Sequence, residues 1–207
     1  MRDYDLYLFD FDNTLYDTGN GIRAILREAL PVLGIGYEER MFPEVVGYSM
    51  EQIFDHFCDD RSLYPAYEEA FMAVVATDVY LDAEPFPETR HVLEELIFRG
   101  KRIGVVSGKM RYKIERLMGR DGLGDVPGII VGYGETERHK PFPDPLELAL
   151  SRFGTPRDRV LYIGDSPNDS EAAANCGVDC AIVNRRNGLT PDGIPCTYGI
   201  GSLSEIL

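Results

Sequence analysis

Apolar residues fall into two patterns along this chain. Tyr4 to Phe9, Arg102 to Val106, Gly128 to Val131, Val160 to Ile163 and Val178 to Val183 are short, nearly unbroken apolar runs. Runs of that length without polar alternation predict strands buried on both faces. The intervening segments carry helical spacing. Glu88 to Arg99 places Val92, Leu93, Leu96 and Ile97 on one face, and Gly100 supplies the stop. Asp144-Pro145 reads as the cap of the next helix, whose stripe of Leu146, Ala149, Leu150 and Phe153 ends at Gly154. Ser166-Pro167-Asn168-Asp169 opens another as a capping box, with Asp in place of the usual Glu. Strands alternating with helices predict an α/β fold around a parallel sheet.

One interval breaks the alternation. Between the first two runs lie about ninety residues with helical patterning and no convincing strand, far more than a βαβ crossover needs. Gly19 to Leu33, Ser49 to Phe57 and Leu63 to Tyr80 read as its helices. The expected organisation is an α/β core of residues 1–15 and 84–207, with a helical subdomain, 16–83, inserted after the first strand. The chain returns through EPFPET, Glu84 to Thr89, whose prolines mark the boundary.

Charge narrows the possible partners. A formal charge of −14 and a pI near 4.6 argue against nucleic acid, which requires a basic face. No stretch is apolar enough to cross a bilayer. The opening MRDYDLYLFD already reads as a strand and not as a cationic leader. Cys58, Cys176, Cys180 and Cys196 form no disulfide framework. The expectation is a cytoplasmic protein with reduced thiols and no membrane partner. Nothing in the sequence sets its oligomeric state.

The unusual polar residues stand where strands end. Asp10 and Asp12 follow the first run, Ser107-Gly108-Lys109 the second and Gly164-Asp165-Ser166 the fourth. Lys140, in HKPFPDP, precedes the helix that leads back to the fourth strand. Each alone has an ordinary explanation as a turn, a cap or a solvated lysine. Together they would converge at the carboxyl edge of a parallel sheet, where ligands bind. Asp10, Asp12 and Asp165 make an oxygen-rich site for a hard cation, most naturally Mg²⁺ with a substrate phosphate. Lys140 and the Ser107 hydroxyl would stabilise charge on a transferring phosphoryl group. Asp10 could then attack phosphorus while Asp12 protonates the leaving oxygen and later activates water. Those roles need one carboxylate charged while its neighbour carries a proton.

With these motifs in hand, the chain resembles the haloacid-dehalogenase superfamily of phosphohydrolases, in the small helical-cap branch that includes phosphoglycolate phosphatases. DFDNT, VVSGK, HKPFPDP and LYIGDSPND are similar to its four motifs, in order, over essentially the whole chain. The resemblance implies a Rossmann-like core with a helical cap and Mg²⁺ as cofactor. It implies nucleophile Asp10, acid/base Asp12 with its main-chain carbonyl on the metal, and phosphate contacts at Ser107 and Gly108. It further implies Lys140 as the residue orienting nucleophile and phosphate, Asp165 on the metal and Asp169 supporting it. Asn13 stands where glycine is commoner, and Gly108 where asparagine is frequent. The presence of Asp12 argues against dehalogenation, and the absence of lysine from residues 16–83 against phosphonate cleavage. The cap is expected to select a small phosphorylated metabolite, with Arg23, Tyr48 and Met50 as candidate specificity residues. A phosphomutase is the first alternative; Met50 stands where its cap arginine is expected. A non-catalytic binding protein is the second, and it would not require Asp12.

Overall fold

The computed structural model describes residues 1–185 and 194–207. Its strands are β1 (Leu6–Phe9), β2 (Tyr16–Asp17), β3 (Glu84–Pro85), β4 (Arg102–Val106), β5 (Ile129–Val131), β6 (Val160–Gly164), β7 (Asp179–Val183) and β8 (Tyr198–Ile200). The helices are α1 (Gly19–Ala29), α2 (Phe42–Val45), α3 (Met50–Phe57), α4 (Tyr64–Val75), α5 (Thr89–Phe98), α6 (Arg111–Arg120), α7 (Asp144–Phe153) and α8 (Pro167–Cys176).

The chain divides into two compact units: Met1–Tyr16 with Pro85–Leu207, and Asp17–Glu84. In the first unit six strands form one sheet in the order β5-β4-β1-β6-β7-β8, each pairing parallel. The α/β fold expected from the apolar runs is present. β8 was not anticipated. It has three residues with a glycine at its centre, and only its pairing with β7 defines it.

β1 explains why its run shows no alternation. Leu6 and Leu8 join a core cluster with Leu146 and Ala149 of α7 and Ala172, Ala173 and Cys176 of α8. Tyr7 and Phe9, on the opposite face by the two-residue strand period, are buried as well. Burial of each such side chain contributes about 1.5–3 kcal/mol. β1 lies between β4 and β6, and the chain builds outward from it in both directions. Phe9 is level with Val105 on one side and Ile163 on the other. Asp10, one residue past β1, is therefore level with Val106 and Gly164, the last residues of β4 and β6, at the switch point of the sheet.

Helix ends follow local chemistry, with one correction. Ser166 and Asp169 form the expected capping box on α8, and Gly154 and Gly177 close α7 and α8 in the left-handed conformation. Asp144 does not cap α7. It is the helix's first residue, followed by a proline that needs no donor there, and its carboxylate pairs with Arg138.

The second unit has its own core of Leu26, Ala29, Leu30, Met41, Val45, Ile53, Phe54 and Tyr67. Ser49 and Gln52 cap α3 reciprocally. α1 tightens into a 3₁₀ turn over Leu30–Leu33, where Pro31 lacks the donor that an α-turn would use.

Strand and helix come close together at Gly164. A β-carbon there would lie 2.3 Å from Asp169 Cγ, a side chain anchored by several hydrogen bonds. Gly164→Ala is expected to lower stability by about 1–3 kcal/mol, as overpacking does. Urea denaturation of the two proteins measures this; an unchanged midpoint would mean that the β6–α8 contact yields without cost.

Candidate active site

The turn after β1 is built by hydrogen bonds from its own backbone. Asp10 N–H still donates to Ile163 O at 2.8 Å, continuing the sheet by one residue. The Leu15 and Tyr16 N–H groups then both return to Phe11 O, and Asn13 N–H donates to Tyr16 O. Asn13 has φ +55°, a left-handed conformation open to glycine and, among other residues, most readily to asparagine. That accounts for the asparagine in DFDNT. Arg185 secures the turn from outside, donating to Thr14 O at 2.8 Å and Glu88 Oε1 at 2.7 Å while stacking on Phe86.

Lys140 comes from the loop before α7. Its Nζ donates to Asp10 Oδ1 at 2.8 Å, Asp169 Oδ1 at 2.6 Å and Tyr162 Oη at 2.9 Å. An ammonium has three donors, and these contacts use all of them. Tyr162 Oη lies 2.8 Å from Asp169 Oδ1 and 3.1 Å from Val106 O, two acceptors for its one proton. The other oxygen of Asp169, Oδ2, accepts from the N–H groups of Asp165 and Ser166 and from Ser166 Oγ–H. Asp169 thus braces both Lys140 and the loop that carries Asp165.

Asp10, Asp165 and Asp169 are buried, and one oxygen of each lies within 4.8 Å of the others. Burial pushes the Asp10 carboxyl up to about 7, with Asp169 and Asp12 adding to it and Lys140 opposing. Burial also works against the charge on Asp169, but the Lys140 ammonium and hydrogen bonds from Lys140, Ser166 and Tyr162 hold it below the usual range. Lys140 is held well above its ordinary value; burial opposes its charge, and Asp10 and Asp169 overcome that opposition. Three buried carboxylates against one ammonium leave a negative, oxygen-only donor set. Such a set fits a hard cation like Mg²⁺.

The structure places Asp12 differently from Asp10. Its carboxylate is 30% exposed, and Oδ1 lies 2.8 Å from Lys109 Nζ. The buried cluster therefore joins Asp10 to Asp165 and Asp169. Ser107 is buried at the end of β4, its N–H donating to Val131 O and its Oγ accepting from Lys109 N–H. Space beside Gly108 is open. Of the other candidates, Arg23 donates to Glu39 Oε1 at 2.6 Å and lies over the Phe42 ring, Tyr48 is partly exposed beside His56, and Met50 opens α3 against the core of the second unit.

Two site residues carried little sequence signal. Tyr162 counted as one more apolar position in its strand, and its hydroxyl role emerges only when Lys140 and Asp169 reach it. Lys109 followed a serine and a glycine like any surface lysine.

The haloacid dehalogenase-like hydrolase family matches this chain over residues 7–183, a span that holds every residue of the buried cluster. A phosphoglycolate phosphatase from Aquifex aeolicus is 27% identical over 179 residues, covering 84% of this chain and 82% of its own. Pyrophosphatase PpaX from Oceanobacillus iheyensis is 26% identical over 179 residues, covering 85% and 81%. A crystal structure from Bacteroides fragilis, assigned to the haloacid dehalogenase-like hydrolases, aligns with a TM-score of 0.87 at 30% identity, over 99% of this chain and 100% of that one. The chain belongs to the haloacid dehalogenase-like hydrolase family.

Proposed function

We propose that this protein is a Mg²⁺-dependent phosphatase that hydrolyses a small phosphomonoester through an aspartyl phosphate on Asp10. The observation that carries the reading is the buried Lys140 ammonium, bound at once to Asp10 and Asp169 beside Asp165 at the carboxyl edge of the sheet. Relatives named phosphoglycolate phosphatase and pyrophosphatase support a small, anionic, phosphorylated metabolite as substrate.

Asp10 and Asp165 would hold the cation, with the main-chain carbonyl of Asp12 and with Asp169 in support. When bound, the cation neutralises phosphate oxygens and lets the carboxylates approach an anion that they would otherwise repel. Lys140 fixes the Asp10 carboxylate and adds positive charge beside the transferring group. Ser107 and the Gly108 backbone contact the phosphate. In the first step an Asp10 oxygen bonds to phosphorus while the ester P–O bond breaks, and Asp12 gives its proton to the departing oxygen. In the second, water attacks phosphorus, Asp12 takes a proton from it, and the bond to Asp10 breaks to release phosphate.

Attack requires ionised Asp10, and burial alone favours its neutral form. Lys140 and a bound cation work in the opposite direction. In metal-free protein the folded state holds the Asp10 proton up to about pH 7, whereas an unfolded aspartate loses it near its ordinary value of 3.8. The folded state then binds the extra proton, so stability falls as pH rises between those values.

The first test is phosphate release from a panel of phosphoglycolate, sugar phosphates, nucleotides, pyrophosphate and an aryl phosphate. Wild type with Mg²⁺ is expected to act on at least one member, and Asp10→Ala to lose at least about 10³-fold in kcat. Comparable release by folded Asp10→Ala would remove Asp10 as nucleophile. Chelation with EDTA should abolish turnover and Mg²⁺ should restore it; full activity in metal-free buffer would end the metal assignment. Asp10 also has a thermal signature. Without metal, the wild-type Tm should fall relative to that of Asp10→Asn by about 5 °C between pH 5 and pH 8, and Mg²⁺ should remove most of that difference. A constant gap would mean that Asp10 is ionised across the whole range.

A further inference from the structure

Lys109 has no part in the steps above. It sits in the loop between β4 and α6, with Nζ 2.8 Å from Asp12 Oδ1. Surface pairs of this kind are common and contribute only about 0–1 kcal/mol. This one is asymmetric, because the lysine side chain is 15% exposed and the carboxylate 30%. The cation is the more buried side chain, and the exposure of the acid lies away from its buried Oδ1.

Three observations separate this pair from a solvated contact. Asp12 Oδ1 is buried and has no aligned hydrogen-bond partner among the described residues, so Lys109 meets this oxygen as a charge. The Lys109 backbone is fixed on both sides, its N–H donating to Ser107 Oγ at 3.3 Å and its carbonyl accepting from Tyr133 N–H at 3.0 Å. Gly132 makes that close approach possible, since a β-carbon there would lie 2.9 Å from Lys109 O and 2.6 Å from Arg111 N. The ends of β4 and β5 thus hold the lysine's backbone in place beside Asp12.

We infer that Lys109 is a positioning residue for Asp12, aiming its carboxyl group at the leaving oxygen and supplying the counter-charge as that group ionises. The inference rests on the reading of Asp12 as acid/base. As the Asp10–phosphorus bond forms and the ester P–O bond breaks, the proton of Asp12 passes to the leaving oxygen. The negative charge that appears on Asp12 is met by the Lys109 ammonium, which keeps all of its own protons. In the second step Asp12 takes a proton from water, and that charge disappears. The help that Lys109 gives therefore scales with how much proton transfer the leaving group needs. A basic alkoxide needs it fully, and a nitrophenolate scarcely at all.

The experiment compares kcat on an alkyl phosphomonoester turned over by the wild type with kcat on 4-nitrophenyl phosphate. It uses wild type, Lys109→Met, Lys109→Gln, Lys109→Arg and Asp12→Asn. The alkyl-to-aryl ratio is expected to fall by about 10-fold or more in Lys109→Met and Lys109→Gln, further in Asp12→Asn, and to recover in Lys109→Arg. With two uncharged replacements, poor folding of one leaves the other as the test, and turnover of the aryl ester reports active protein in each. A ratio that falls in Asp12→Asn but holds in both uncharged Lys109 variants would overturn the inference and leave the acid role of Asp12 standing. A rise in KM alone, equal for both esters, would overturn it too, making Lys109 a phosphate contact. A ratio unmoved in Asp12→Asn would refute the acid/base reading itself, and this inference with it.

Discussion

Three buried carboxylates cannot share a space a few ångströms wide without a positive charge among them. In this chain Lys140 supplies that charge to two of them, Asp10 and Asp169, through direct hydrogen bonds. Burying a pair of ions is costly unless every donor and acceptor is met, and removing one partner of such a pair costs about 3–5 kcal/mol. The environment of Lys140 meets that condition, with all three ammonium donors used and Asp169 saturated on both oxygens. The lysine stands 130 residues from Asp10, so the site exists only when β1, β6 and the loop before α7 are all in place.

The central position of β1 follows from this constraint. A central strand buried on both faces of a parallel sheet is apolar on both, and it delivers its next residue to the edge with the adjoining strand ends level. Register puts Asp10 beside the ends of β4 and β6, so Ser107 and Asp165 each stand one residue beyond those ends. Backbone pairing, far from the chemistry, thus decides which polar residues can meet. Gly164 belongs to the same logic, since only the absence of a side chain lets the braced Asp169 come so close to the strand.

Legibility in the sequence tracked how local each signal was. The runs that became β1, β4, β5, β6 and β7 could be read because strands buried on both faces are written as continuous apolar stretches. β8 could not, because Tyr198–Ile200 has no such stretch and depends on a partner distant in sequence. The box at Ser166 and Asp169 was visible as a helix cap, but its second task was not: a carboxylate that caps a helix can also hold a lysine from another loop. Asp144 shows the opposite case, where a residue of capping type next to a proline became the first turn of the helix and turned to Arg138. Asp10 and Asp12, two residues apart in sequence, have different surroundings. The buried cluster that forms around Asp10 takes Asp165 and Asp169 from the far end of the chain, while Asp12 faces Lys109.

In the proposed mechanism these different surroundings suit neighbouring carboxylates to different work. Two aspartates two residues apart, left to interact only with each other, would differ little in proton affinity. Here one is 7% exposed and tied to Lys140, while the other is 30% exposed and faces Lys109. Environment, not residue type, drives such pairs apart in behaviour. A nucleophile benefits from a fixed orientation and a cation at its back, and Asp10 has Lys140 in that place. The acid/base proposed at Asp12 must exchange protons with a leaving group and with water, and the partial exposure of that side chain suits the role. In the proposed mechanism each carboxylate has its own lysine: the three donors of Lys140 are all engaged in the buried cluster, and Lys109 is the ammonium beside Asp12.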